Sequence, residues 1–200
     1  GIGTNLKFYI ENGGSVFDVT PLRLTTAAGD AAFSASNGSS TITVTETGHG
    51  AVENDFVTFS GAVSLGGNIT AAVLNKEHQI VSVTDANTYT FTATATANSS
   101  DTGNGGSSTV AKYQINTGTN FYIDSTGWGV GGWGESAWGQ AVDITVTNQL
   151  RLFSQDAFGD DLIFNARGGG VFFWDESGGT GARAVSLGDL VGASNTPTAA

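Results

Sequence analysis

Acid–base or metal chemistry near neutral pH would have to start from His49 and His78, the chain's two histidines, because imidazole is the side chain whose ordinary pKa lies there. His49 sits in Gly48-His49-Gly50, which reads as a hairpin turn or bulge, and His78 begins a strand. Neither has a carboxylate or a second histidine at a ligand spacing such as HExxH. Both read as structural, and no catalytic or metal-ligating residue is assigned.

Carboxylates offer a second route. Asp156, Asp160, Asp161, Asp175 and Glu176 lie close in sequence, and two carboxylates on either side of a glycosidic bond would suffice for hydrolysis. Acidic residues at strand ends ordinarily sit in solvated turns, however. Calcium held by these turns is the better of the two chemical readings, although no DxDxDG loop is present. Ser136 and Ser154 lack a nucleophile elbow. Gly168-Gly169-Gly170 precedes a strand instead of opening a helix, so it reads as a tight hairpin and not as a phosphate cradle.

The least ordinary stretch runs from Gly127 to Gly139, where Trp128, Trp133 and Trp138 recur every five residues among glycines. That spacing matches neither a helix face nor one face of a strand, while glycine lets backbone pack close beside each indole. The rings either form an exposed platform that stacks on sugars or a partner, or fill the space between layers. Filling is favoured, because three exposed indoles are a solubility liability.

The elements that must position these residues announce themselves by alternation at period two, which puts one set of side chains in a core and the other in solvent. Tyr89, Phe91, Ala93 and Ala95 alternate with Thr90, Thr92, Thr94 and Thr96. Further strands are expected at 6–10, 16–20, 41–45, 56–60, 79–84, 112–115, 121–123, 142–147, 150–154, 162–166 and 171–174. Asn12-Gly13-Gly14 and Asp85-Ala86-Asn87 are turns, supplying residues that tolerate positive φ or hydrogen-bond their own backbone. Only 69–75 and 186–190 read as helical, each for one or two turns. The fold class that follows is all-β and mostly antiparallel.

Composition divides the chain into three. Residues 1–32 and 110–200 carry aromatic strands, whereas 33–109 are rich in Thr, Ala, Ser and Gly. Small-residue runs at 34–40 and 98–108 bracket the middle part like flexible joints. The expected architecture is a discontinuous, propeller-like or meander β domain (1–32 and 110–200) with a small β-sandwich or barrel domain (33–109) inserted in it. One continuous sandwich is the alternative. The strands ending in Trp174-Asp175 suit one blade of a propeller or a meander, and too few blades are present to close a ring.

Of the 200 residues, 39% are apolar and 12% charged, with 30 Gly, 2 Pro and no Cys, so disulfides and thiolate metal sites are ruled out. No apolar run approaches the ~18 residues of a membrane span. The absence of an initiator Met and the strand-like opening at Gly1 suggest processing or truncation. The net charge is −11, and the seven basic residues are scattered, which argues against a grip on nucleic acid. An acidic wall remains compatible with DNA sliding past it.

Several phrases resemble tail proteins of tailed bacteriophages: Phe8-Tyr9-Ile10-Glu11 followed by Phe17-Asp18-Val19-Thr20-Pro21-Leu22-Arg23, the Gly-Trp-Gly repeat, and the run from Leu150 to Asn165. Residues 41–92, with Gly48-His49-Gly50 and Asp55-Phe56-Val57-Thr58-Phe59-Ser60-Gly61, look like small β modules of phage tail and fibre chains. The layout is similar to the tail tubular, or nozzle, proteins of short-tailed phages. That resemblance implies a non-enzymatic virion protein without cofactors. It implies a ring of copies that contacts other tail proteins around the DNA exit channel, with no more than transient passage of DNA and no membrane insertion. No active-site residue is carried over by it. Nozzle proteins are several times longer than this chain, so the chain is expected to be a fragment. The alternative is a host-surface or glycan-binding fibre module that uses Trp128, Trp133 and Trp138.

Overall fold

The computed structural model describes residues 1–115, 152–167, 169–190 and 192. The chain forms two compact units, residues 20–116 and residues 1–19 with 117–200. In chain order the strands are β1 (Ile2–Gly3), β2 (Phe8–Asn12), β3 (Ser15–Asp18), β4 (Leu22–Thr25), β5 (Ala32–Ala35), β6 (Thr41–Thr45), β7 (Phe56–Ser60), β8 (Glu77–Asp85), β9 (Thr88–Thr92), β10 (Asp101–Asn104), β11 (Val110–Gln114), β12 (Phe153–Phe158), β13 (Asp161–Ala166), β14 (Val171–Trp174) and β15 (Val185–Ser186). One short helix, α1 (Ala71–Leu74), precedes β8, and two 3-10 turns cover Glu176–Gly178 and Leu187–Asp189. Every strand pairing among the described residues is antiparallel.

The unit formed by residues 20–116 is an eight-stranded sheet in the order β10-β5-β6-β9-β8-β7-β11-β4, curled into a half-barrel. Alternation sets its inside. Thr88, Thr90 and Thr92 stay at least partly accessible, while Tyr89 and Phe91 are fully buried with Phe33, Ile42, Val44, Val57, Phe59 and Ile80. Phe33 meets Phe59 edge to face at 4.8 Å and Phe91 at 6.3 Å, the geometry in which ring edges and faces attract. The helix α1 contributes Leu74 to the same core.

The small-residue runs at 34–40 and 98–108 lie within the compact unit of residues 20–116. They carry parts of β5 and β10, which pair with each other at Asp101 with Ala35 and at Asn104 with Phe33. Serine and alanine suffice there because Phe33 and Ala35 supply the buried face. The unit also takes in β4, whose Lys112, Tyr113 and Gln114 partners lie on β11.

The described part of the other unit has a three-stranded sheet, β1-β2-β3, and a four-stranded meander, β12-β13-β14-β15. The β2–β3 hairpin closes through Gly13-Gly14, between the paired residues Asn12 and Ser15. Both glycines have positive φ, 62° and 82°, as a two-residue hairpin loop with the twist of its strands requires. In the meander, Phe164, Ala166, Phe172 and Trp174 are buried on one face. Phe8 of β2 stacks on Phe164 at 4.0 Å and touches Phe153 at 4.9 Å. The expected strands at 121–123 and 142–147, and the first two residues of the one expected at 150–154, lie outside the described residues; β12 begins at Phe153 and runs four residues past the expected end. Edge pairing with β13 stabilises its polar residues, which hydrophobic alternation does not reveal.

Candidate functional site

A cluster of buried polar side chains occupies the half-barrel interior, and its centre is the Gly48-His49-Gly50 turn. Gly48 and Gly50 have φ of 66° and 57°, the left-handed region that costs other residues about 1–2 kcal/mol. This pair of bends turns the His49 ring inward, where it is 1% exposed. Its Nδ1 accepts the Ala51 amide at 2.9 Å, so the neutral ring carries its proton on Nε2, which makes no hydrogen bond of regular geometry. The ring edge meets Tyr89 at 4.8 Å. Burial pushes the imidazole below its ordinary pKa, with the Asp85 backbone opposing that shift and the Arg23 charge adding to it.

Around this turn the strands contribute one polar group each. Arg23 of β4 donates through both terminal nitrogens to the His49 carbonyl at 3.2 Å. It also lies 4.9 Å above the Tyr113 ring and 4.0 Å from the Asp55 carboxylate. From β11, Tyr113 donates its hydroxyl to Glu46 Oε2 at 2.7 Å. Because that proton is committed, Tyr89 of β9 must be the donor in the 2.7 Å contact between the two hydroxyls. Desolvation drives both phenols far above the ordinary tyrosine range and raises the Glu46 carboxyl, which the Tyr113 bond partly restores.

The second histidine is separate from this cluster. His78 packs against Phe91 at 4.0 Å and its Nε2 meets the Leu74 carbonyl at 3.1 Å. Burial lowers its pKa, and the Leu74 backbone opposes the shift. The structure therefore gives the two imidazoles separate packing partners and hydrogen bonds. Sequence reasoning found the glycine-flanked turn but missed Arg23, Glu46, Asp55, Tyr89 and Tyr113. A signal was available: a tyrosine on the inward phase of a strand brings a hydroxyl that needs a partner.

Of the carboxylates at 156–176, Asp156 lies within β12 and Asp161 and Asp175 bond a turn. Asp161 accepts the Glu176 amide at 2.9 Å, and Asp175 caps the following 3-10 turn by accepting the Ser177 amide and hydroxyl at 2.8 and 2.6 Å. The Ser177 bonds hold the Asp175 carboxyl below its ordinary pKa. Among the described residues no three His, Asp or Glu side chains are grouped to hold a metal ion. No helix among them is long and apolar enough to cross a membrane. Trp128, Trp133 and Trp138 lie outside the described residues. Trp174 is buried and donates its indole N–H to the Ala182 carbonyl at 3.1 Å.

In the other unit the polar centre is Asp18. One carboxylate oxygen accepts Lys7 Nζ at 2.8 Å and Arg183 at 3.1 Å. What several of these arrangements do chemically is hold strands: Arg23 with the His49 carbonyl, Tyr113 with Glu46 and Asp18 with Arg183 join residues far apart in sequence.

No protein-family model matches the chain, and no curated protein matches it. Among solved structures it is similar to the phage phi92 endosialidase, at 12% sequence identity over 84% of this chain and with a TM-score of 0.36. The chain spans 32% of the length of that protein. A likeness at that TM-score carries no inference about activity or assembly.

Proposed function

We propose that this chain is a non-enzymatic structural segment of a bacteriophage tail, of the tubular or nozzle class. It assembles with copies of itself and with other tail proteins around the channel through which DNA leaves the virion. The observation that carries this reading is where the phage-like phrases fall. The first opens on the β2–β3 hairpin, whose Tyr9 pairs with Asp18 and Ile10 with Phe17, and runs on into β4. The run from Leu150 to Asn165 contains β12 and most of β13, paired from Phe158 with Asp161 to Phe153 with Ala166. Two of the phage-like phrases therefore contain paired strands, which supports a scaffold role for them.

Charge supports the same reading. A chain of net charge −11 repels phosphates and lets DNA pass without a counterion-releasing grip. The buried polar residues support it too, since they tie strand to strand.

The test is electron microscopy of the full-length protein that contains this chain, under assembly conditions. Rings or stable higher-order particles are expected. Monomers alone overturn the proposal. Binding on a glycan array that quenches indole fluorescence would also overturn it, in favour of a host-surface fibre module built on Trp128, Trp133 and Trp138.

A further inference from the structure

We propose that the His49 turn is an acid-operated latch that clasps the edge strand β4 to the β6–β7 connection and releases it when the imidazole gains a proton. In the sheet order β4 lies at one end and β6 is third from the other. Curling brings them together, and Arg23 donating to the His49 carbonyl bridges the gap.

The turn can hold only one protonation state. His49 Nδ1 is the acceptor for the Ala51 amide, and Nε2 already carries the proton of the neutral ring. A second proton must therefore go to Nδ1, which sets N–H against N–H inside the core. The bond is lost, and the ring, 1% exposed, must turn or leave. Its exit moves the carbonyl that Arg23 holds.

The charged and titratable groups around the ring decide the balance. Arg23 from β4 repels the imidazolium, while Asp85 at the end of β8 attracts it. Asp55, just before β7, lies 4.0 Å from Arg23 and leaves that cation in place. Tyr89 of β9 presents its ring edge and Tyr113 of β11 lies under Arg23; both remain neutral. Glu46, after β6, takes up a proton more readily in the folded chain than unfolded, so its own titration stabilises the fold and does not open the latch.

The test is hydrogen exchange on the intact chain, corrected for the pH dependence of intrinsic exchange. The Ala51 amide reports the latch directly, and Thr26, bonded to the Ala111 carbonyl at 2.9 Å, reports the end of β4. Below about pH 6.5, Ala51 and Thr26 protection is expected to fall together by up to about tenfold per pH unit, the signature of one proton, while Tyr89 and Phe91 lose protection only in step with the global stability read by denaturant. His49→Asn keeps an acceptor near the Nδ1 position and cannot take up the proton, so its Ala51 protection is expected to lose the slope; His49→Gln is the second variant should Asn fail to fold. Glu46→Gln is expected to keep it. A flat Ala51 profile in the natural chain, an unchanged slope in the folded His49 variant, or Tyr89 and Phe91 losing protection as steeply as Ala51 would overturn the proposal.

Discussion

Tyr113 donates its hydroxyl to the Glu46 carboxylate at 2.7 Å inside the half-barrel, joining two residues 67 positions apart in sequence. Both are nearly inaccessible, at 0% and 3% exposed, so the bond replaces solvation that each group has lost.

Removing that donor is expected to cost more than removing its neighbour. Tyr113→Phe leaves a buried carboxylate without its phenol, a loss of about 1–3 kcal/mol. Tyr89→Phe removes only a bond between hydroxyls and is expected to cost about 1 kcal/mol. Glu46→Gln, which keeps an acceptor and sheds the charge, should be the mildest. Urea denaturation at pH 7, read by exchange of β9 and β11 amides, gives the order. Equal losses in the two tyrosine variants would show that Glu46 does not depend on Tyr113.

A separate expectation concerns His78. Its folded pKa lies below the ordinary value because burial penalises the charged ring. The unfolded chain therefore binds more protons as pH drops below about 6.5, and linkage makes stability fall in that direction. The contribution is intact above the unfolded pKa and is lost progressively until the folded pKa is reached. His78→Gln is expected to be less stable at pH 8, through poorer packing on Phe91, yet to lose less stability between pH 7 and pH 5 than the natural chain. Denaturant midpoints across that range check it. A His78→Gln profile parallel to the natural one would mean that the ring titrates alike in both states.

The strands most legible in sequence were those in which one face is entirely apolar. Residues 41–45, 56–60 and 171–174 fold as read, because Ile42 with Val44, Val57 with Phe59, and Phe172 with Trp174 alternate against polar or less buried neighbours. The turns at Gly13-Gly14 and Asp85 to Asn87 were legible for a local reason: the first needs positive φ, and in the second the Asp85 side chain accepts the Asn87 amide at 2.7 Å. Strands β4, β5 and β10 were not. Their stability comes from partners far along the chain, such as Leu24 opposite Tyr113 and Asp101 opposite Ala35, and a local window holds no trace of those. The polar cluster was half legible. Glycines flanking His49 marked a special turn, but only curling of the sheet brings Arg23 within reach of it.

The last expectation tests Asp18, which accepts from Lys7 and Arg183 on the same oxygen. Lys7 is 7% exposed, so deleting the carboxylate removes the oxygen that accepts its Nζ at 2.8 Å from a place that water reaches poorly. Asp18→Ala is expected to cost about 3 kcal/mol, the low end for breaking a buried pair, since Asp18 keeps some access to solvent. The penalty includes the cost of a poorly solvated charge that has lost its 2.8 Å carboxylate, beyond the attraction itself. Combining it with Lys7→Met, which keeps the apolar stem and removes the ammonium, should therefore recover part of the loss. All four tryptophans lie in residues 117–200, so urea denaturation followed by indole fluorescence reads this unit. A double variant less stable than Asp18→Ala alone would mean that Lys7 contributes through another contact, and that the carboxylate is not what makes its burial tolerable.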